Sequence, residues 1–146
     1  MDHGKIAEEL FRKGYNCSQS VLMAFGDITG LDEETAAKLA SSFGGGIGRM
    51  REVCGAVSGA AMVLGIIKGC SDPDDREAKK AHYALVREFA DRFRELNGSM
   101  ICRELLSGVQ TTTGGDPEAR SAEYYKKRPC PDLVRQAAEI LDEMLI

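Results

Sequence analysis

Fifteen consecutive residues, 54–68 (CGAVSGAAMVLGIIK), carry a single charge, on Lys68. An apolar stretch with no polar face is stable as a helix only when neighbours cover it on every side. The rest of the chain is therefore expected to wrap it. Its core, residues 56–67, falls short of the ~20 residues needed to cross a bilayer and contains Ser58, Gly59 and Gly65, so no membrane span is expected. Gly55 and Gly59, with Ala56 and Ala60, form rows of small residues four apart, along which a neighbouring backbone can come close. Each of those glycines costs a helix about 1 kcal/mol relative to alanine, a cost that close packing has to offset.

The flanking sequence reads as helix after helix. Residues 2–13 place Ile6, Leu10 and Phe11 on one side and stop at Gly14. Asn16 is a good N-cap for a second helix with Val21, Leu22 and Phe25 inward. Gly26 and Gly30 bracket a turn. Asp32 caps a third helix carrying Ala36, Leu39, Ala40 and Phe43, which the glycine-rich run at 44–48 ends.

Asp72-Pro73-Asp74-Asp75 looks like a helix start, with proline at the first helical position. The longest helix is predicted from there to Asn97-Gly98, with Ala78, His82, Leu85, Val86, Phe89, Phe93 and Leu96 as its apolar stripe. Ser99 caps a short helix with Cys102, Leu105 and Leu106. A polar loop spans 107–117, and a short charged helix covers 118–127. Pro129-Cys130-Pro131-Asp132 opens a last helix with Leu133, Ala137, Ile140, Leu141 and Met144 inward. Nothing alternates like a strand. The expected fold is all-α: one domain over residues 1–146, a single bundle of about six to seven helices around a buried Gly/Ala-rich central helix.

Nineteen basic and twenty-three acidic residues give a net charge of −4, which argues against nucleic acid as a partner. The first ten residues are acidic and lack the apolar centre of a secretory signal, so the cytoplasm is the expected compartment.

Five cysteines stand at 17, 54, 70, 102 and 130, with no Cys-x-x-Cys among them. Local zinc-finger and thioredoxin-like patterns are therefore disfavoured, and any site must be assembled by the fold. Cys17, Cys54, Cys102 and Cys130 each fall in the first turn of a predicted helix, whose amides and dipole favour a thiolate. Cys70 follows a helix end, where the dipole opposes an anion. Arg49 and Arg51 lie just before Cys54 and are placed to hold an anionic sulfur, although ordinary solvated charges are the commoner outcome. The 44–48 run offers amides in the manner of an anion nest, but a flexible connection is the plainer reading. His82 reads as a satisfied core histidine, Tyr124-Tyr125-Lys126-Lys127-Arg128 as a surface helix end, and His3 carries no argument.

Cys17, then Cys54-Gly55-Ala56-Val57-Ser58-Gly59, then Cys102 and Cys130, together resemble the C_GCAxxG_C_C family of bacterial and archaeal redox-active proteins. The flanking GYNCSQSV at 14–21 and FGGGIG at 43–48 share the likeness, which covers nearly the whole chain. The resemblance implies redox activity through the four cysteines and a tendency to be encoded near transporters; Cys70 has no counterpart.

The leading expectation is a cysteine redox protein, a thiol–disulfide oxidoreductase or an electron-transfer protein. It needs no cofactor and works with a redox partner protein or a small thiol. Cys54 is the candidate nucleophile, and another of the four resolves the mixed disulfide; four cysteines allow three complete pairings, which the sequence does not choose between. One rival is a metal protein, with zinc or an iron–sulfur cluster held by the same four cysteines. The other is a non-catalytic helical binding module.

Overall fold

The computed structural model describes residues 2–145. Among these are nine α-helices and no strand beyond an isolated bridge between Val53 and Ile101. The helices are α1 (His3–Arg12), α2 (Cys17–Ala24), α3 (Gly26–Thr29), α4 (Glu33–Ala40), α5 (Gly55–Lys68), α6 (Arg76–Asn97), α7 (Cys102–Leu105), α8 (Ala122–Lys127) and α9 (Cys130–Leu145). The excess over six or seven comes from one-turn pieces such as α3, where a plain turn was expected.

The local start signals hold where a polar side chain can reach a free amide. Asp2, Asn16 and Asp32 each accept from the amide three residues on, and Asn16 forms a reciprocal box with Gln19. The start of α6 differs. Asp72 and Pro73 lie outside it, and Asp75 is the cap, accepting from the Ala78 amide. Ser99 does not cap α7; its hydroxyl accepts from the Ile101 amide in the loop before it.

α5 is central, packed by α2, α6 and α9, while α1 lies along α9 and α2. The small-residue rows serve α2. A Cβ on Gly59 would sit 2.7 Å from the Ser18 carbonyl oxygen, and one on Gly55 2.9 Å from the Ser18 amide nitrogen. The two backbones touch because both glycines lack side chains.

The burial of α5 is less complete than expected. Ala56, Val57, Ala60, Val63 and Leu64 are enclosed, but Gly65 and Ile66 at its far end are exposed. α6 buries only Phe89, Ala90 and Phe93. Leu96 is 63% exposed and Leu39 52%, so neither faces the core as predicted. His82 is half-buried with an unpartnered Nδ1, so the satisfied-histidine reading is corrected. His3 is the buried, satisfied one. It lies between Asp142 (Nδ1 to Oδ1, 2.7 Å) and Asp27 (Nε2 to Oδ1, 2.9 Å) and stacks on Phe25, tying α1 to α3 and α9.

Candidate functional site

Three of the four helix-start cysteines open their helices as first residues: Cys17 in α2, Cys102 in α7 and Cys130 in α9. Cys54 is the residue just before α5. The packing of these helices turns all four thiols into one cavity, which holds about 60 Å³ of free space, and all four are buried. That is room for a few water-sized groups. Cys70 lies elsewhere, its sulfur 3.3 Å from the Asp72 carbonyl oxygen.

Two short connections set this geometry. The Cys54 amide donates to the Met100 carbonyl (2.8 Å) and the Cys102 amide to the Glu52 carbonyl (2.6 Å). These bonds flank the Val53–Ile101 bridge and lock Cys54 beside Cys102.

The second connection is the glycine-rich run. It is not a flexible link but a left-handed coil. Gly45, Gly46, Ile47, Gly48, Arg49 and Arg51 all have φ between +54° and +73°. For Ile47 this is a strained conformation. Long-reach bonds hold it: the Arg51 amide donates to the Gly45 carbonyl (3.1 Å) and the Glu52 amide to Gly46 (2.9 Å). The amides of residues 47–52 are thus spent on carbonyls of residues 42–47 rather than on an anion. A Cβ on Gly46 would sit 2.8 Å from the Cys102 Cβ, so the coil lies directly against the site.

The coil aims Arg51 inward. Only 6% exposed, Arg51 places Nη1 3.7 Å from the Cys102 sulfur and gives Nη2 to the Thr112 carbonyl at 2.8 Å. Arg49 turns away to Thr112 and Glu118. Arg128, read from sequence as part of a surface helix end, is 7% exposed and lines the cavity with Tyr124 and Arg120. Glu118 pairs with Arg49, Arg51 and Arg128. Neither Arg120 nor Glu118 stands out in the sequence, because both sit in loop of ordinary composition. The one available signal was the basic-aromatic run at 124–128.

The thiol pKa values separate by environment. Interaction with the Cys17 thiol lowers the Cys130 pKa, and Arg128 and Arg120 lower it further against the penalty of burial. The same interaction and burial raise Cys17 well above an ordinary thiol. Burial raises Cys102 despite Arg51. Burial, with the neighbouring Cys130, pushes Cys54 up to about 12, while the amides of Ala56 and Val57 pull only weakly the other way. This environment disfavours the thiolate expected at Cys54. Desolvation outweighs its helix dipole, and Arg51 serves Cys102 instead.

This has a measurable sign. A thiol whose folded pKa is raised adds stability below its unfolded pKa of about 8.5 and loses it as pH climbs toward the folded value. For Cys54 that window runs from about 8.5 up to about 12. Urea unfolding across this range is expected to show falling stability, and Cys54→Ala to make the slope shallower by up to about 1.4 kcal/mol per pH unit. An unchanged slope would contradict a buried, protonated Cys54.

Among the described residues, no group of three or more His, Cys, Asp or Glu side chains is arranged to hold a metal ion. The zinc and iron–sulfur reading finds no ready ligand set in this arrangement. Among the described residues, no helix is long and apolar enough to cross a membrane.

No curated protein and no solved structure matches the chain. A family model described as "Putative redox-active protein (C_GCAxxG_C_C)" matches residues 15–144. That span takes in every cysteine of the shared cavity, and so the chain belongs to the C_GCAxxG_C_C family.

Proposed function

We propose that this protein exchanges thiols with disulfides, with Cys130 as the attacking thiolate and Cys17 as its resolving partner. The observation that carries this reading is that Cys17 and Cys130 share one buried cavity lined by Arg120 and Arg128. A cation-flanked thiol is the environment that yields a nucleophilic sulfur near neutral pH.

In the reduced protein, the Cys130 thiolate attacks one sulfur of a substrate disulfide, R–S–S–R′. The bond from Cys130 to that sulfur forms, the substrate S–S bond breaks, and R′–S⁻ leaves. The Cys17 thiol gives its proton to the departing thiolate, and its sulfur attacks the Cys130 sulfur. R–S⁻ leaves and takes a proton from solvent. Two electrons have passed from the protein to the substrate, and a Cys17–Cys130 disulfide remains. Cys54 and Cys102 stay protonated beside the pair at neutral pH, since burial raises both.

The test is alkylation with iodoacetamide across pH, with each modified site identified by mass spectrometry. Because its folded pKa is lowered, Cys130 is expected to react first and with a midpoint below the ~8.5 of an ordinary cysteine. Mild oxidation is expected to join Cys17 to Cys130. A Cys130 midpoint at or above that of a free thiol, or a different joined pair, would remove the assignment. Normal titration of all four thiols, together with intact partner binding when all four are serine, would favour the binding-module reading.

A further inference from the structure

Arg120 is the cation of the site with no carboxylate of its own. Its Nη1 donates to the Phe11 carbonyl (2.8 Å) and its Nη2 to the Tyr15 carbonyl (3.0 Å), and among the described residues no Asp or Glu pairs with it. The guanidinium lies 4.2 Å over the Phe11 ring and 5.1 Å from that of Tyr124. These contacts fix its plane yet leave three of its five N–H donors without a partner.

Arg120 also stands at a junction. It lines both the cysteine cavity and an adjoining outer space of about 250 Å³ that it shares with Arg51, Arg128 and Glu118. Four arginines (49, 51, 120 and 128) surround that outer space, against the single carboxylate of Glu118. Glu118 is already engaged by Arg49, Arg51 and Arg128. The Cys130 thiolate offsets one more charge when it forms. The remainder is positive, partly desolvated and facing the route to the sulfurs.

We infer that the substrate is a small anionic disulfide whose carboxylate Arg120 receives while its sulfurs reach Cys130. This rests on the thiol-exchange reading above and names the substrate class for that same site. A fixed guanidinium with free donors suits a carboxylate, which it binds through paired hydrogen bonds. The sizes agree. The inner cavity admits a sulfur and little else, and the outer space takes the rest of a small molecule. The bond changes are those already given for Cys130 and Cys17, with R and R′ each carrying a carboxylate.

Three symmetrical disulfides of similar size test this: 3,3′-dithiodipropionate (anionic), bis(2-hydroxyethyl) disulfide (neutral) and cystamine (cationic). The rate of Cys17–Cys130 disulfide formation is measured with each and divided by that probe's rate with free 2-mercaptoethanol. The anion is expected to lead the neutral probe by about tenfold and the cation to trail it. The anion's lead shrinks as salt is raised. In Arg120→Gln it collapses toward the neutral rate, and in Arg120→Lys part of it returns.

Equal normalised rates for all three probes, or a lead for the cation, would overturn the inference and leave thiol exchange standing. Failure of every probe to form the Cys17–Cys130 disulfide would remove both. If Arg120→Gln does not fold, the charge series and its salt dependence in the unaltered protein still decide.

Discussion

Serine at position 130 is expected to slow exchange with a small disulfide by at least about 100-fold at pH 7. The reason is the thiolate supply. Each pKa unit above neutral costs about a factor of ten in ionised sulfur. Cys54, held at about 12, has roughly one thiolate in 10⁵ at pH 7 and cannot stand in for the missing group. Cys17 is raised as well, and although the substitution removes the part due to Cys130, the part due to burial stays in place. Serine at position 17 has a different outcome. The first attack survives, because the serine hydroxyl remains a hydrogen-bond donor beside the Cys130 thiolate, and the reaction halts at the mixed disulfide. Intact-mass spectrometry is expected to find the R–S adduct on Cys17→Ser and none on Cys130→Ser. Exchange by Cys130→Ser at the original rate would show that the attacking sulfur lies elsewhere.

The second large effect belongs to the contact between α2 and α5. A Cβ at residue 59 meets the Ser18 carbonyl oxygen at 2.7 Å and the Val21 Cβ at 3.1 Å. The oxygen is backbone inside a helix and cannot step aside without moving α2. Gly59→Val is therefore expected to cost about 3 kcal/mol or more, a fall in Tm of about 6–12 °C for a chain of this size. Gly65→Ala on the same helix supplies the contrast. Nothing lies within 4 Å of that Cβ, so the gain in helix propensity, about 0.5–1 kcal/mol, stands alone. Opposite signs in urea unfolding are the expected result. A similar loss in both variants would mean that close approach is not why residue 59 is glycine.

Much of this architecture could be read in advance, and what could be read was local or periodic. A cap needs one side chain and an amide three residues away, so Asn16 and Asp32 announce their helices. Rows of small residues four apart announce a close neighbour, and α2 fills that place. The helix-start positions of Cys17 and Cys130 were likewise legible, because Asn16 stands before the one and Pro129 and Pro131 flank the other.

Where the sequence misled, the deciding quantity was a sum over distant groups. The dipole at the start of α5 favours a Cys54 thiolate, but its enclosure by the rest of the fold outweighs that dipole. Arg128 looks like the solvated end of a charged helix until the 107–121 segment folds back and brings Glu118 to it. The left-handed coil was hidden for another reason. Glycines permit positive φ without requiring it, and nothing marks Ile47, Arg49 and Arg51 as sharing it. His3 shows its role only once α3 and α9 bring Asp27 and Asp142 to its two ring nitrogens.

On the proposed reading, the resolving sulfur sits near one end of the sequence and the attacking one near the other, brought together only when α9 docks against α1 and α2. A polypeptide still on the ribosome displays Cys17 long before Cys130 has been translated. Such an intermediate lacks the matched couple, so its chemistry stays silent until synthesis and tertiary assembly are both finished. On the thiol-exchange reading, reactivity of this centre therefore requires that the chain be made through Cys130 and folded.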